Sequence, residues 1–294
     1  MVRVFTHKAP RHMDDFMSLC FLKKKLGSDI VIEELSPQDP SLEELKKDPS
    51  VFLVDIGQEY NQDLRNFDHH HDLSLPSSLL LVLDYFGLRE IFENFEFVRG
   101  IDYTDRFGPV EGLKKAGIEN IWGEELDRMR KIILLSEPSG ELADCFWETC
   151  YENLPYHKSW EYFYRRADDL GLLEKGKQAL EREEQEFLRK LNQAQVLEIE
   201  GLRVIYSLET LSPYHFKVFK VLNADLIVER NSMNPLHTSI IKNTAKPEAK
   251  ELDLSKVFEL YPKVFLHNTG FIAVVDRDIS GVDVSEIAKK VCFK

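Results

Sequence analysis

Val51-Phe52-Leu53-Val54 is the stretch that most narrows the choice of fold. All four side chains are apolar, and turn-forming segments, Asp48-Pro49 and Asp55-Ile56-Gly57, bound the run. A strand with one wet face alternates apolar and polar residues. A short run apolar at every position suits a strand covered on both faces, as in a parallel sheet. The neighbouring sequence alternates strand and helix. Val2 to Phe5 reads as a strand. Asp14 or Asp15 can cap a helix whose apolar residues Phe16, Leu19, Cys20, Leu22 and Leu26 follow a 3.6-residue period, and Gly27 ends it. Ile30 to Ile32 reads as a second strand, and Leu42 to Lys47 as a short helix. The expected class is α/β, with an N-terminal parallel-sheet domain.

At 294 residues the chain exceeds one typical domain. Ser77 to Arg99 reads as helical with a break at Gly87, and further helices follow from Glu124 to Gln195. The last of these, Leu172 to Gln193, is so rich in Glu, Lys and Arg that it reads as an exposed connecting helix. Beyond it, strands are expected at 202–207, 224–228, 237–241 and 264–266, with helices at 214–222 and 284–291. The organisation expected is residues 1–150 as a metal-binding catalytic domain, 151–197 as a helical connector, and 198–294 as a smaller α/β (α+β) substrate-binding domain.

Chemistry concentrates in Phe67-Asp68-His69-His70-His71-Asp72. Packing does not call for three consecutive histidines, and a purification tag would lie at a terminus. Other ionisable groups fall near expected strand ends: His7, His12, Asp14, Asp55, Asp102 and Asp105. A single Asp after a strand is usually a cap or a turn former. Here the joint occurrence with the Asp-His-His run carries the weight. Imidazole and carboxylate without thiolate suit Mn²⁺, Mg²⁺, Fe²⁺ or Co²⁺ better than a structural zinc. There are enough groups for two ions with a bridging carboxylate, and ions about 3.5–4 Å apart can activate water and clamp both oxygens of a phosphoryl displacement.

The net charge of −13 argues against a broad grip on long nucleic acid, which needs many Lys and Arg contacts to phosphate. No apolar run approaches the roughly 18–20 residues of a membrane span. Cys20, Cys145, Cys150 and Cys292 show no paired spacing and no export signal precedes them, so reduced thiols in a cytoplasmic protein are expected.

Several segments follow known patterns in order. Thr6-His7-Lys8-Ala9-Pro10-Arg11-His12-Met13-Asp14-Asp15 resembles T-H-N-G-x-F-H-x-D-[DE], with Lys8-Ala9 in place of Asn-Gly and Arg11 in place of Phe. Val54-Asp55-Ile56-Gly57-Gln58-Glu59-Tyr60 resembles V-D-V-G-x-x-Y, and Phe67-Asp68-His69-His70 resembles Y-D-H-H, with His71 where Gln is usual. Ser77-Ser78-Leu79 is similar to S-S-A-G-L. Phe95 to Gly108 is similar to F-x-x-x-x-D-x-x-D-N-G, with Arg106-Phe107 at the Asn-Gly. Phe265-Leu266-His267-Asn268-Thr269-Gly270-Phe271-Ile272 is similar to F-x-H-x-x-G-F-I. These patterns belong to the melanocyte-proliferating-gene (Myg-type) DHH-like exonucleases, within the DHH phosphoesterase superfamily. The superfamily's general opening, a His followed by Asp four and six residues later, is not kept: those positions hold Arg11 and Met13.

The resemblance implies that His7, His12 and Asp55 hold one ion. It implies that Asp14, Asp55, His69 and either Asp102 or Asp105 hold a second, with Asp55 bridging. Asp68 would orient a ligand histidine, His70 would face the substrate phosphate, and Asp14, Asp55, Asp68 and His70 would form the catalytic set. His267 and the amides around Gly270 would grip phosphate, and Arg11 would add positive charge at the rim. Arg230 is a looser phosphate clamp, equally readable as a surface arginine, and His71 is expected to be exposed. The expected activity is a two-ion Mn²⁺ phosphoesterase, with Mg²⁺ or Co²⁺ as alternatives. It would act as an exonuclease on short single-stranded RNA or DNA, with substrate in a cleft between the domains. Homo-oligomerisation stays open. The rivals are a pyrophosphatase or small-molecule phosphatase, which the lack of a dense Lys/Arg cluster in the second domain disfavours, and a non-catalytic metal-binding protein, which the altered Asn-Gly pairs keep open.

Overall fold

Residues 51–54 form a strand with no exposed face. Phe52 and Val54 enter a large aromatic core, while Val51 and Leu53 join Phe5, Leu42 and Ile56 on the opposite side. Side chains alternate across a strand, so four consecutive apolar residues are buried only if both faces of the sheet are covered. The computed structural model describes residues 1–294 apart from 9, 28, 73, 119–123, 152–155, 268, 269, 293 and 294. The chain divides into two compact units, Met1–Leu180 and Glu181–Lys294.

The first unit begins β1 (Val2–His7), α1 (Met13–Leu26), β2 (Ile30–Leu35), α2 (Leu42–Leu45), β3 (Val51–Val54), β4 (Tyr60–Asn61) and β5 (Asn66–Phe67). Helices follow: α3 (Ser78–Tyr85), α4 (Arg89–Phe92), α5 (Glu96–Phe107), α6 (Pro109–Lys115), α7 (Glu124–Leu135), α8 (Gly140–Tyr151), α9 (Tyr156–Asp169) and α10 (Glu174–Gln193). The sheet order is β2-β1-β3-β5-β4. Its first four members are parallel, and β4 returns antiparallel at the edge. Thr6 pairs with Val54 and Val54 with Phe67, so the carboxyl ends of β1, β3 and β5 lie level and side by side.

α1 is the central helix, buried from Met13 through Leu22. Asp14, Asp15 and Ser18 are fully buried within it, which a packing helix does not require. Its Phe21 meets Phe92 and Phe146 edge-on, and Phe97 and Phe163 belong to the same core, with Phe97 4.5 Å from Trp160 in an edge-on pair. α9 therefore packs into the first unit through Trp160, Phe163 and Ala167. The span 151–197, expected as a connector, is divided. α10 crosses the division, with Leu180 in the first core and Phe187 in the second. Its charges cover only the outward faces.

The second unit adds β6 (Gln195–Ile199), β7 (Leu202–Ser207), α11 (His215–Leu222), β8 (Leu226–Arg230), β9 (Thr238–Lys242), α12 (Pro247–Lys250), β10 (Lys263–Leu266), β11 (Ile272–Val275) and α13 (Val284–Cys292). Its six-stranded sheet runs β10-β11-β9-β8-β7-β6. Only β7 and β8 pair in parallel, and α11 makes the crossover between them. Ile205, Ile227 and Ile241 fill one face, while Val204, Leu226, Val228 and Ile240 fill the other. The molecule is thus a two-domain α/β protein. Among the described residues, no helix is long and apolar enough to cross a membrane.

Candidate metal centre

The level carboxyl ends of three parallel strands bring the motif residues together. His7 ends β1, Asp55 follows β3, and Asp68 and His69 follow β5. Ligands of open α/β sheets gather at such ends. Asp55 has φ +56, a left-handed conformation that Asp tolerates better than most residues, and its amide still donates to Phe67 O at 3.0 Å. Strand pairing therefore continues while the chain turns. The first turn of α1 contributes Asp14, preceded by His12, and the last turn of α5 contributes Asp105.

His7 Nδ1 donates to Lys8 O at 2.8 Å, so Nε2 is the nitrogen facing the site. It lies 3.3 Å from Asp55 Oδ2 and 3.5 Å from Asp15 Oδ2. Asp55 Oδ1 accepts from Ser78 Oγ at 2.9 Å and lies 3.6 Å from both His69 Nε2 and His70 Nδ1. Asp105 lies 3.5 Å from His12 Nδ1 through Oδ1 and 2.8 Å from His69 Nε2 through Oδ2. Three sets of side chains bring ligand atoms within 4.8 Å of one another: His7, His12 and Asp55; Asp55, His69 and His70; His12, Asp14 and Asp105. They share Asp55 and His12, so they form one continuous cluster.

The cluster fits a divalent cation because its inner atoms are unsatisfied. Both carboxylate oxygens of Asp14, both ring nitrogens of His69, His7 Nε2, and Oδ2 of Asp15, Asp55 and Asp105 are buried without a hydrogen-bond partner. Even His69 Nε2 and Asp105 Oδ2, 2.8 Å apart, do not form a hydrogen bond. Buried polar groups are normally paired, and leaving them unpaired is costly. Hard carboxylate and imidazole donors converging without mutual hydrogen bonds suit a cation of the Mn²⁺ or Mg²⁺ kind.

Protonation follows the same crowding. Burial, followed by the charges of Asp55 and Asp105, pushes the Asp14 carboxyl well above the usual range. Burial also lifts Asp15 to about 6, with His7 opposing it. Burial would raise Asp55, but the facing imidazoles of His69 and His7 hold it far below the usual range. The Asp55 carboxylate raises His7 to about 9. For His69, burial acts downward, yet Asp105 and Asp55 lift it to about 9. Without a cation, protons must neutralise this site.

A supporting layer fixes these groups. Asp15, absent from the residues expected in the site, accepts from the amides of His12 and Phe16 at 2.8 Å each. It caps α1, which leaves Asp14 free for the cluster. Ser78 was also not anticipated as a partner of Asp55. Asp68 accepts from Gln58 N at 2.8 Å and from His70 N and Nδ1 at 2.8 and 2.7 Å. It orients His70, one of the side chains whose ligand atoms converge on Asp55. Asp102 is saturated by Ser77 N and Arg106 Nη2, each at 2.6 Å, and therefore anchors α3 to α5. Asp105 is the α5 carboxylate in the cluster.

His70 is half-exposed and, with His7, His12 and Asp55, lines a cavity of about 690 Å³ that the 37–40 loop and α2 also line. His71 is exposed. Arg11 pairs with Glu34 at 2.6 Å. In the second unit, Arg230 ends β8 with Nε buried and unpaired. The His267 ring packs 4.4 Å from that of Phe271, and the Gly270 amide donates to His267 O at 2.8 Å, closing a turn. Ala9, Asn268 and Thr269 lie outside the described residues.

No protein-family model matches the sequence, and no curated protein matches it significantly. Among solved structures, an uncharacterized Helicobacter pylori G27 protein aligns over 99% of each chain at 10% identity, with a TM-score of 0.29. The chain shares its fold with PggH, a pGpG-specific phosphodiesterase from Vibrio cholerae, over 98% of this chain and 99% of that one, with a TM-score of 0.50 and 14% identity.

Proposed function

We propose that this chain is a divalent-metal-dependent phosphodiesterase that acts as an exonuclease on short, single-stranded oligonucleotides. The observation that carries the reading is the convergence of His7, His12, Asp14, Asp55, His69 and Asp105, with buried atoms of all but His12 left unpaired. The shared fold with a pGpG-specific phosphodiesterase supports a short nucleotide substrate. The net charge of −13 weighs against extended duplex DNA.

Two Mn²⁺ ions are the assignment, one held by His7, His12 and Asp55 and the other by Asp14, His69 and Asp105, with Asp55 shared. When bound, such ions activate water and neutralise phosphoryl charge. The protein's own part is positional. Asp15 and Ser78 hold the first turn of α1 and Asp55 in place. The hydrogen bond that His70 Nδ1 donates to Asp68 sets the His70 ring, which then presents its Nε2 to a substrate phosphate oxygen in the cavity. Cys20, Cys145 and Cys150 are buried free thiols, which fits a reducing, cytoplasmic setting.

The test is to strip the purified protein with a chelator, restore Mn²⁺, and compare a short 5′-labelled RNA, pyrophosphate and bis(p-nitrophenyl) phosphate. Metal-dependent release of mononucleotides from the RNA 3′ end is the expected result. Hydrolysis of pyrophosphate alone overturns the proposal, and tight Mn²⁺ binding without turnover on any substrate identifies a non-catalytic metal protein.

A further inference from the structure

We infer that the part of this cavity lined by the 37–40 loop and α2 is a nucleobase subsite in which the Glu43–Lys46 pair reads the Watson–Crick edge of guanine. The inference rests on the phosphodiesterase reading for its substrate class. Both side chains line the same cavity as His7, Asp55 and His70, and at about 690 Å³ the cavity has room for a nucleotide-sized group.

The pair sits at the end of α2, with Lys46 Nζ 2.6 Å from Glu43 Oε1. A surface pair of this kind contributes almost nothing to stability. This one differs in its support. The Lys46 side chain is only 18% exposed. Its stem covers Gly57, where an added Cβ would lie 3.5 Å from Lys46 Cδ. Gly57 has φ +105, unfavourable for any other residue, and stands two residues after Asp55. Asn66 Nδ2 donates to Lys46 O at 2.9 Å and ties the end of α2 to β5, the strand that leads into Asp68 and His69. Lys46 is thus a donor held against the strand ends, and Glu43, 72% exposed, is a solvent-accessible acceptor beside it. Pro37 and Pro40, which line the same cavity, supply apolar surface for a base plane.

Guanine fits this pattern best. Its O6 accepts from the ammonium, while N1–H and N2–H donate to the two carboxylate oxygens, giving three charge-assisted hydrogen bonds. Adenine, cytosine and uracil can satisfy at most two. A bidentate base contact discriminates by roughly 5- to 150-fold.

The test is calorimetric titration of the purified protein with GMP and with AMP in EDTA, so that phosphate–metal affinity does not contribute. GMP should bind about tenfold more tightly than AMP. Glu43→Gln, checked for unchanged melting, should erase the difference, because the neutral amide loses one of the two carboxylate acceptors. Equal binding of GMP and AMP by the unsubstituted protein overturns the inference, as does an undiminished preference in Glu43→Gln. A parallel assay with Mn²⁺ compares kcat/KM for pGpG and pApA. Equal hydrolysis of both together with equal mononucleotide binding removes the subsite and leaves the phosphodiesterase reading intact. A GMP preference without any hydrolysis keeps the subsite and removes that reading.

Discussion

Each unit buries carboxylate groups at a strand end, and the two sites are finished differently. In the second unit, Glu229 of β8 is 2% exposed, and both its oxygens are used. Oε1 accepts from His215 Nε2 at 2.8 Å and Thr210 Oγ1 at 3.2 Å, while Oε2 accepts from Leu211 N at 2.6 Å. In the first unit, Asp14, Asp55 and Asp105 each keep at least one buried oxygen with no partner. A carboxylate that serves the fold is saturated by protein donors. One that serves a cation must keep lone pairs free, at a cost in stability until the cation binds.

The sharpest way to break the contrast is Asp55→Asn. It should reduce Mn²⁺-dependent turnover on the order of 100-fold or more and lower the metal stoichiometry measured by calorimetry. Full activity would remove Asp55 from its shared position. The next test separates two carboxylates one helical turn apart. Asp102→Ala removes the carboxylate that accepts from both Arg106 Nη2 and Ser77 N and should cost about 3–5 kcal/mol in chemical denaturation. Asp105→Asn should instead weaken Mn²⁺ binding about tenfold or more with little change in metal-free stability. Reversed outcomes would exchange the two roles.

The pH dependence sharpens the comparison further. His7 and His69 titrate near 9 in the folded, metal-free chain against an ordinary value of 6.5. Their stabilising contribution is therefore complete below pH 6.5 and is lost as pH rises through 9. The raised Asp14 acts in the same direction, because its ionised form is disfavoured by folding. The metal-free melting temperature should fall across that window, and Mn²⁺ should reverse the fall; a flat profile would mean that the cluster is already satisfied. The smallest effect is expected for Glu229→Gln, about 1–3 kcal/mol of stability from a disturbed acceptor, with Mn²⁺ affinity unchanged.

Much of the first sheet was legible because its signal is local. The apolar run at 51–54 and the period of α1 each follow from residues a few positions apart. The second unit's edge strand β6 was not anticipated: only Leu197 and Ile199 among its residues are even half-buried, so it lacks a clean alternation. The packing role of α9 is not legible locally, because it depends on Trp160 and Phe163 meeting Phe97, some sixty residues away in the chain.

The candidate site divides in the same way. Residue types alone pointed to hard-metal chemistry, and the local order Asp68-His69-His70 allowed an acid to hold an imidazole two residues on, as Asp68 holds His70. Whether Asp14 or Asp15 caps α1, and whether Asp102 or Asp105 joins the cluster, could not be read from sequence. Within each pair both members are acidic and inward-facing, and only the group that arrives opposite separates them: backbone amides for Asp15, Arg106 and Ser77 for Asp102, and other ligand side chains for Asp14 and Asp105. By itself the sequence determined the buried strand and the kind of donors the protein brings. Tertiary structure decided which donors are satisfied by the protein and which are left to bind, because that depends on partners brought together across long stretches of chain.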